Sequence, residues 1–229
     1  MAIPPTFKES QLSNVRVQHA YSEKERVVKT YFADINISYV GFKLFLRAFK
    51  KEKVVEVWIS EEGKETFTLL QTYPFCTTSG TLGPKRKEGD LQIPEGVYTI
   101  TNFNPQSKYH LSLALNYPNT SDKILGSKTK PGSNIYLHGD CVTIGCIPLT
   151  DEKIKELYIL AVEARNNGQQ NIPVHIFPAR LSDSRLISLK KDLPSHSLFW
   201  NNLKQVYDDF EKTKSVKVIR VNQKGEYIF

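Results

Sequence analysis

Asn134-Ile135-Tyr136-Leu137-His138-Gly139-Asp140-Cys141-Val142-Thr143-Ile144-Gly145-Cys146-Ile147-Pro148-Leu149-Thr150-Asp151 is the stretch on which the reading of this chain turns. The apolar run Ile135-Tyr136-Leu137 delivers a histidine and a glycine, and the turn Thr143-Ile144-Gly145 delivers a cysteine. Thr150-Asp151 then opens a helix, because a threonine hydroxyl can accept an orphan backbone N–H. A thiol and an imidazole this close in sequence, on strand ends beside glycines, can form a nucleophile–base pair. Cys146 would attack, and His138 would hold or take its proton. Gly145 carries no side chain, so a carbonyl group can approach the thiol. The backbone N–H groups of Gly145 and Cys146 are the candidates to face a developing oxyanion. The plainer alternative is a buried free thiol. A third alternative is zinc on His138, Cys141 and Cys146, but a closed structural site takes four ligands and no second cluster lies near in sequence.

Outward from this stretch the chain is rich in strands. Residues 1–20, with prolines at 4 and 5, read as an extended or loose arm. Val27, Val28, Tyr31, Phe32 and Ile35 recur at helical spacing, which predicts an amphipathic helix over 22–36. Phe42 to Phe49 and Val54 to Ile59 flank Lys51-Glu52 as a hairpin, and Thr66 to Tyr73 is a third strand. Residues 77–95 form a loop rich in Gly, Lys and Pro. It is longer than ordinary connections, which marks a functional loop or a lid with Gly80, Gly83 and Gly89 as hinges. Val97 to Asn102, Tyr109 to Asn116 and Asn134 to His138 are further strands, with a second long loop at 117–133. Ile154, Leu157, Leu160, Ala161 and Ala164 give the buried stripe of the helix after Thr150, and Gly168 stops it. Ile172 to Phe177 is a closing strand. Leu186, Leu189 and Leu193, then Leu198, Leu203, Val206, Tyr207 and Phe210, predict helices, and Val216 to Val221 alternates like a strand. Of the remaining histidines, His175 reads as a satisfied core residue and His19 and His196 as surface residues.

The chain has 229 residues, 40% hydrophobic and 11% aromatic, enough for one sizeable core with an appendage. Charged residues at 24% are ordinary, so a disordered chain is not expected. The net charge of +7 comes from dispersed lysines and arginines, not from a stripe with interleaved aromatics, so no nucleic-acid surface is expected. No apolar run is long enough to span a bilayer, so an integral membrane protein is not expected. Met1-Ala2-Ile3-Pro4-Pro5 lacks the basic start and apolar core of a signal peptide. Taken alone, that says cytosolic.

His138-Gly139, a short loop, then Thr143-Ile144-Gly145-Cys146-Ile147 resembles the motif of the L,D-transpeptidase catalytic domain of bacterial cell-wall enzymes. Upstream, Thr72-Tyr73-Pro74, Gly83-Pro84-Lys85, Glu88-Gly89-Asp90, Pro94-Glu95-Gly96-Val97-Tyr98 and Ser107-Lys108-Tyr109-His110-Leu111-Ser112 are similar to its short-loop murein branch. Val174-His175-Ile176-Phe177-Pro178 closes the likeness, which covers residues 42–180. The resemblance implies a β-rich α+β fold. Its core would be an L,D-transpeptidase-like β-sandwich or barrel over 39–181. An arm and helix would occupy 1–38, and an α/β appendix 182–229.

The same resemblance implies a peptidoglycan stem peptide as substrate, attacked at a diaminopimelate residue followed by D-alanine. The thioester formed on Cys146 would pass to an amine or to water, with no cofactor and no metal. Gly139 would orient His138 through its carbonyl. Lys85, Tyr109, His110, Thr143 and Arg47 would line the substrate. Many members carry Arg or Asn two places after the nucleophile. Here that place is Pro148, and Arg47, Lys85 and Arg86 are the available cations, of which the likeness favours Lys85. Export to the periplasm is implied, against the missing signal peptide, and with it a Cys76–Cys141 disulfide that leaves Cys146 free. Three reduced thiols are the alternative. The hydrolytic branch would be an L,D-carboxypeptidase or amidase releasing D-alanine or a diaminopimelate-linked lipoprotein. A non-catalytic wall-binding module and a zinc-stabilised interaction domain are the readings outside catalysis.

Overall fold

Strand β1 (Lys43–Phe49) is apolar at nearly every position because both of its faces are covered. It forms a hairpin with β2 (Val54–Ser60), and β3 (Thr68–Pro74) adds to β2. On its other side β1 pairs in parallel with β8 (Ile172–Phe177). The sheet continues through β4 (Gly96–Asn104), β5 (Ser112–Leu115), β6 (Tyr136–His138) and β7 (Ile147–Pro148). The order is β3-β2-β1-β8-β4-β5-β6-β7, with β1–β8 and β6–β7 the parallel pairs. This computed structural model describes residues 4–229, so residues 1–3 of the expected arm lie outside the described residues. The architecture is β-rich α+β, with helices ahead of the sheet and an α/β segment after it.

Alternation along β1 assigns the two covers. Leu44, Leu46 and Ala48 join Val55, Val57 and Ile59 in a core shared with α2 (Val15–Asp34) and α4 (Asp151–Asn166). Phe45 and Phe49 point the other way. Phe210 of α6 (Ser197–Thr213) lies 4.9 Å from Phe45 and 5.0 Å from Trp58, ring to ring. Leu186 and Leu189 of α5 (Asp183–Asp192) bury against that same second face with Trp200 and Leu203. α4 lies between the sheet and the N-terminal helices, so even its polar side chains are enclosed. Tyr21 donates to Glu163 at 2.9 Å and Tyr158 to Gln11 at 2.7 Å. The Thr150 hydroxyl accepts from Lys153 N–H at the start of α4.

The two edges of the sheet meet. The Cys76 N–H, just past β3, donates to the Pro148 carbonyl of β7 at 3.1 Å. The sheet therefore curls towards a barrel instead of standing as two stacked sheets.

Several expectations need correction. The arm is helical: α1 (Phe7–Leu12) starts at a capping box of Thr6 and Glu9, and α2 begins at Val15, not Ser22. Val17, Ala20 and Tyr21 are buried on α4, a contact that only the fold supplies. The loop at 117–133 contains α3 (Thr120–Leu125), opened by an Asn119–Asp122 capping box. Tyr109 and His110 belong to a turn, not a strand, and His110 has φ +66°. Of the last alternating run only β9 (Arg220–Val221) pairs, with β10 (Tyr227–Ile228). No helix among the described residues is long and apolar enough to cross a membrane.

The loop at 77–95 is stapled internally, not hinged. Asp90 accepts from Lys85 Nζ at 2.6 Å and from the N–H groups of Arg86, Lys87 and Gln92. Ser79 donates to the Leu91 carbonyl at 2.9 Å. A buried ion pair joins this loop to the second face. Lys50 Nζ lies 2.9 Å from Glu95 and donates to the carbonyls of Gly83 and Ile93. Glu95 also accepts from Trp200 Nε1 at 2.7 Å and from Gly83 N–H at 2.7 Å. Burial pushes the Lys50 ammonium down, and Glu95 opposes that. Removing one partner of a buried pair leaves an uncompensated charge. Lys50→Met is expected to cost about 3–5 kcal/mol in urea unfolding, and adding Glu95→Gln to recover part of it.

Candidate active site

Only residues 139–146 separate the parallel strands β6 and β7. Parallel neighbours ordinarily need a crossover of about a dozen residues or more. So short a link must double straight back along β6. Leu137 pairs with Ile147 and His138 with Pro148. Leu137 and Ile147 both enter the core shared with α4. Successive side chains of a strand alternate faces, so His138 and Cys146 emerge together on the opposite face. That register joins a base on one strand to a thiol on the next.

The link is held at each end and in the middle. Gly139 has no room for a side chain: a Cβ there would lie 2.6 Å from Asp151 Oδ1 and 3.0 Å from His110 Cβ. Asp151, in the first turn of α4, accepts from Asp140 N–H at 2.8 Å. Cys141 is bridged to Cys76, with Cα atoms 5.5 Å apart, within the range for a disulfide. The bridge removes Cys141 as a metal ligand, and with it the zinc reading. Gly145 has φ +139° and sits against the Gln92 carbonyl, 3.0 Å from where a Cβ would stand. The loop at 77–95 thus forms the wall behind the glycine that precedes Cys146.

His138 is buried, and its Nδ1 donates to the Gly139 carbonyl at 2.5 Å. A carbonyl only accepts, so Nδ1 carries the proton and Nε2 is left as the proton acceptor. Burial pushes this imidazole below its ordinary range, with the Gly139 bond and Asp140 pulling back. Cys146 is half-buried and the free cysteine of the chain. Burial pushes its thiol up, against the Tyr136 backbone N–H and the charge of Lys85. Its Sγ points to the Asn134 carbonyl at 3.7 Å. Both shifts favour the neutral thiol and the neutral imidazole over their charged forms.

The remaining expected site residues divide. Tyr109 lies against His138, ring centroids 4.8 Å apart. His110 sits behind Gly139, its Nδ1 3.9 Å from Asp151. Lys85 is close enough to act on the thiol, but Asp90 already neutralises it. Thr143 is central: its hydroxyl accepts from Cys146 N–H at 2.8 Å and Gly145 N–H at 3.1 Å. The two N–H groups expected to face an oxyanion are therefore engaged by Thr143 in this structure.

Arg47 is not at the site. β1 stands four strands from β6 in the sheet order, and Arg47 shares the face of Phe45 and Phe49, not that of the core with α4. The guanidinium is buried on the α6 side, 2.8 Å from Glu211 and 4.7 Å from the Phe210 ring centre. Beside it His175 is buried with Nδ1 unpartnered, and burial, with the Arg47 charge, pushes its pKa down to about 3. It is a core histidine, but not a satisfied one. Sequence reasoning missed Asp151 and Gln92 as supports of the loop. Asp151 carried only a helix-start signal, and Gln92 acts through its backbone, which leaves no side-chain signature.

The model of the YkuD family, the L,D-transpeptidase catalytic domain, matches residues 49–176. The Escherichia coli (strain K12) protein named "Putative L,D-transpeptidase YafK" is 32% identical over 191 residues, 82% of this chain and 74% of that protein. Among solved structures, the helical cell shape determining protein Pgp2 from Campylobacter jejuni is 20% identical. It covers 86% of this chain and 80% of its own, at a TM-score of 0.48. Bdellovibrio bacteriovorus Bd1075 is 27% identical, covering 77% and 64%, at a TM-score of 0.43.

Two outcomes follow from the geometry of the loop. Alkylation of Cys146 by iodoacetamide should rise through alkaline pH, with a midpoint above the ordinary thiol value of ~8.5. The sign is fixed by burial, which disfavours the thiolate; a plateau reached below pH 7 would instead mark an ion pair. Replacing Cys76 and Cys141 by alanine opens a covalent link between residues 65 apart. Chain entropy sets that loss at about 4 kcal/mol, readable in denaturant unfolding.

Proposed function

The chain belongs to the L,D-transpeptidase catalytic-domain family, and from that premise we propose that it is a cysteine acyl-transfer enzyme acting on peptidoglycan stem peptides. The observation that carries the proposal is the β6–β7 register, with His138 and Cys146 on one face and Nδ1 tied to the Gly139 carbonyl. His138 Nε2 takes the Cys146 proton as sulfur attacks the peptide carbonyl of a diaminopimelate residue. The C–N bond breaks, the imidazolium gives its proton to the leaving amine, and a thioester remains on Cys146. The acceptor then attacks that thioester, with His138 again taking a proton. For Gly145 and Cys146 N–H to stabilise the oxyanion, Thr143 must turn away from them. Tyr109, exposed and against His138, stands on the approach, while Lys85 is buried on Asp90 and His110 sits behind Gly139; neither metal nor organic cofactor enters these steps. Secretion to the periplasm fits the Cys76–Cys141 bridge, since such bridges persist in oxidising compartments.

Water is the favoured acceptor. The link between His138 and Cys146 is short, and its tip is open, with Ile144 78% and Val142 49% exposed. The loop at 77–95, pinned through Asp90 and Glu95, is not free to close over the site. A thioester left uncovered is open to hydrolysis. The products would be a tripeptide trimmed of D-alanine, or a lipoprotein freed from diaminopimelate.

Cys146→Ala should abolish turnover of muropeptides and leave the unfolding midpoint near that of the wild type. Given a disaccharide tetrapeptide alone, the wild-type protein should yield tripeptide. Cleavage only of a lipoprotein-linked muropeptide would select the release reading. Dimers or D-amino-acid exchange in the presence of an amine acceptor, without tripeptide, would restore plain transpeptidation.

A further inference from the structure

The face of His138 is covered from outside the catalytic loop. The Tyr109 ring lies on the imidazole at 4.8 Å between centroids, the planes 33° apart. Tyr109 sits in a tight turn with few bonds of its own. His110 takes φ +66°, a conformation in which a residue with a Cβ is disfavoured. Its Nε2 is buried without a partner, and its Nδ1 reaches only to 3.9 Å from Asp151. Within the turn itself, Tyr109 N–H donates to Ser107 Oγ at 3.1 Å.

What closes the turn comes from the N-terminal helix. Arg16 Nη1 donates to the Ser107 carbonyl at 2.6 Å and also to the His110 carbonyl. These two carbonyls flank Tyr109 in the chain, so one cationic nitrogen clamps the turn from both sides. Charge-assisted bonds of this kind are stronger than neutral ones. Arg16 stands in the first turn of α2, and the next residues inward, Val17, Ala20 and Tyr21, are buried in the core shared with α4. α4 in turn carries Asp151, which holds Asp140 beside His138. The clamp and the catalytic loop thus refer to the same rigid helix.

We propose that Arg16 is a positioning residue for His138: by clamping the Ser107 and His110 carbonyls it fixes Tyr109 against the imidazole, which makes the N-terminal helix part of the working site. This rests on His138 being the proton carrier of the proposed function. The Gly139 carbonyl fixes the imidazole at Nδ1, and Tyr109 fixes the tilt of the ring, so together they aim Nε2. Loss of the clamp frees the turn, and a small misplacement of a catalytic group far exceeds the cost of the bond itself.

The test uses the full chain with Arg16→Met, which keeps an unbranched stem but no donor, and Arg16→Lys, whose ammonium can serve both carbonyls. The imidazole C–H resonances of His138, assigned with His138→Gln, report the Tyr109 ring directly, because protons over an aromatic face are shifted upfield. In Arg16→Met they should move downfield, and in Arg16→Lys they should stay near the wild-type position. Turnover of muropeptide by Arg16→Met should fall about tenfold or more. In a Tyr109→Leu background the same substitution should change turnover by less than about twofold, as residues acting through one contact are non-additive. An unmoved His138 resonance in folded Arg16→Met overturns the proposal, as does an equal loss in both backgrounds. If the wild-type chain turns over no muropeptide, the functional reading fails, and the resonance alone decides whether Arg16 sets Tyr109 on His138.

Discussion

Everything at the candidate site depends on a parallel strand pair joined by a link too short for an ordinary crossover. Residues 139–146 must leave β6, reverse and re-enter beside it as β7. A chain under that constraint has few conformations, and each support of the link meets one of its demands. Gly139 passes where a side chain would strike Asp151, and Gly145 adopts a backbone angle other residues resist. Thr143 caps the last turn by binding the N–H groups of Gly145 and Cys146 together with the Cys146 carbonyl. Cys141 ties the tip to the far edge of the sheet. The thiol and the imidazole share one face of the sheet because so short a link fixes the register of β6 and β7.

The same constraint explains why helices on both faces matter to a site at one end of the sheet. α4 fixes the link through Asp151, and α2 fixes α4. On the other face, α6 reaches the loop at 77–95 through Trp200 and Glu95, and that loop backs Gly145 through the Gln92 carbonyl. The segments before and after the matched region are therefore structural partners of the site. A buried Lys50–Glu95 pair in that path trades stability for a defined position, since a charge removed from water must keep its partner.

Electrostatics at the site favour restraint over constant reactivity. Burial pushes the thiol up and the imidazole down, so both groups are biased towards their neutral forms. A neutral thiol is a poor nucleophile and is slow to be oxidised or alkylated. Nδ1 of His138 is committed to the Gly139 carbonyl, which leaves Nε2 as the ring nitrogen free to accept a proton.

Much of this was legible in the sequence. Strand and helix periods marked most of the elements, and the His138–Cys146 stretch marked the candidate site, because both are carried by local pattern: alternation, capping residues, and glycines beside reactive side chains. Cys76 and Cys141 were paired through the family likeness, and the edge-to-edge closure of the sheet brings them together. Arg47 shows where local pattern runs out. It lies in a strand, close in sequence to nothing that contradicts a site role, yet strand order and the alternation of β1 send it to the α6 side. Arg16, in a segment that read as a loose arm, lies with Ser107 and His110, more than ninety residues away in the chain. By itself the sequence determined which residues can react and which segments are strands or helices, since those depend on chemistry and on neighbours along the chain. Tertiary structure alone decided which side chains surround the thiol, which N–H groups are already occupied and which helix clamps the turn, because these depend on strand order and on contacts between segments that no local period encodes.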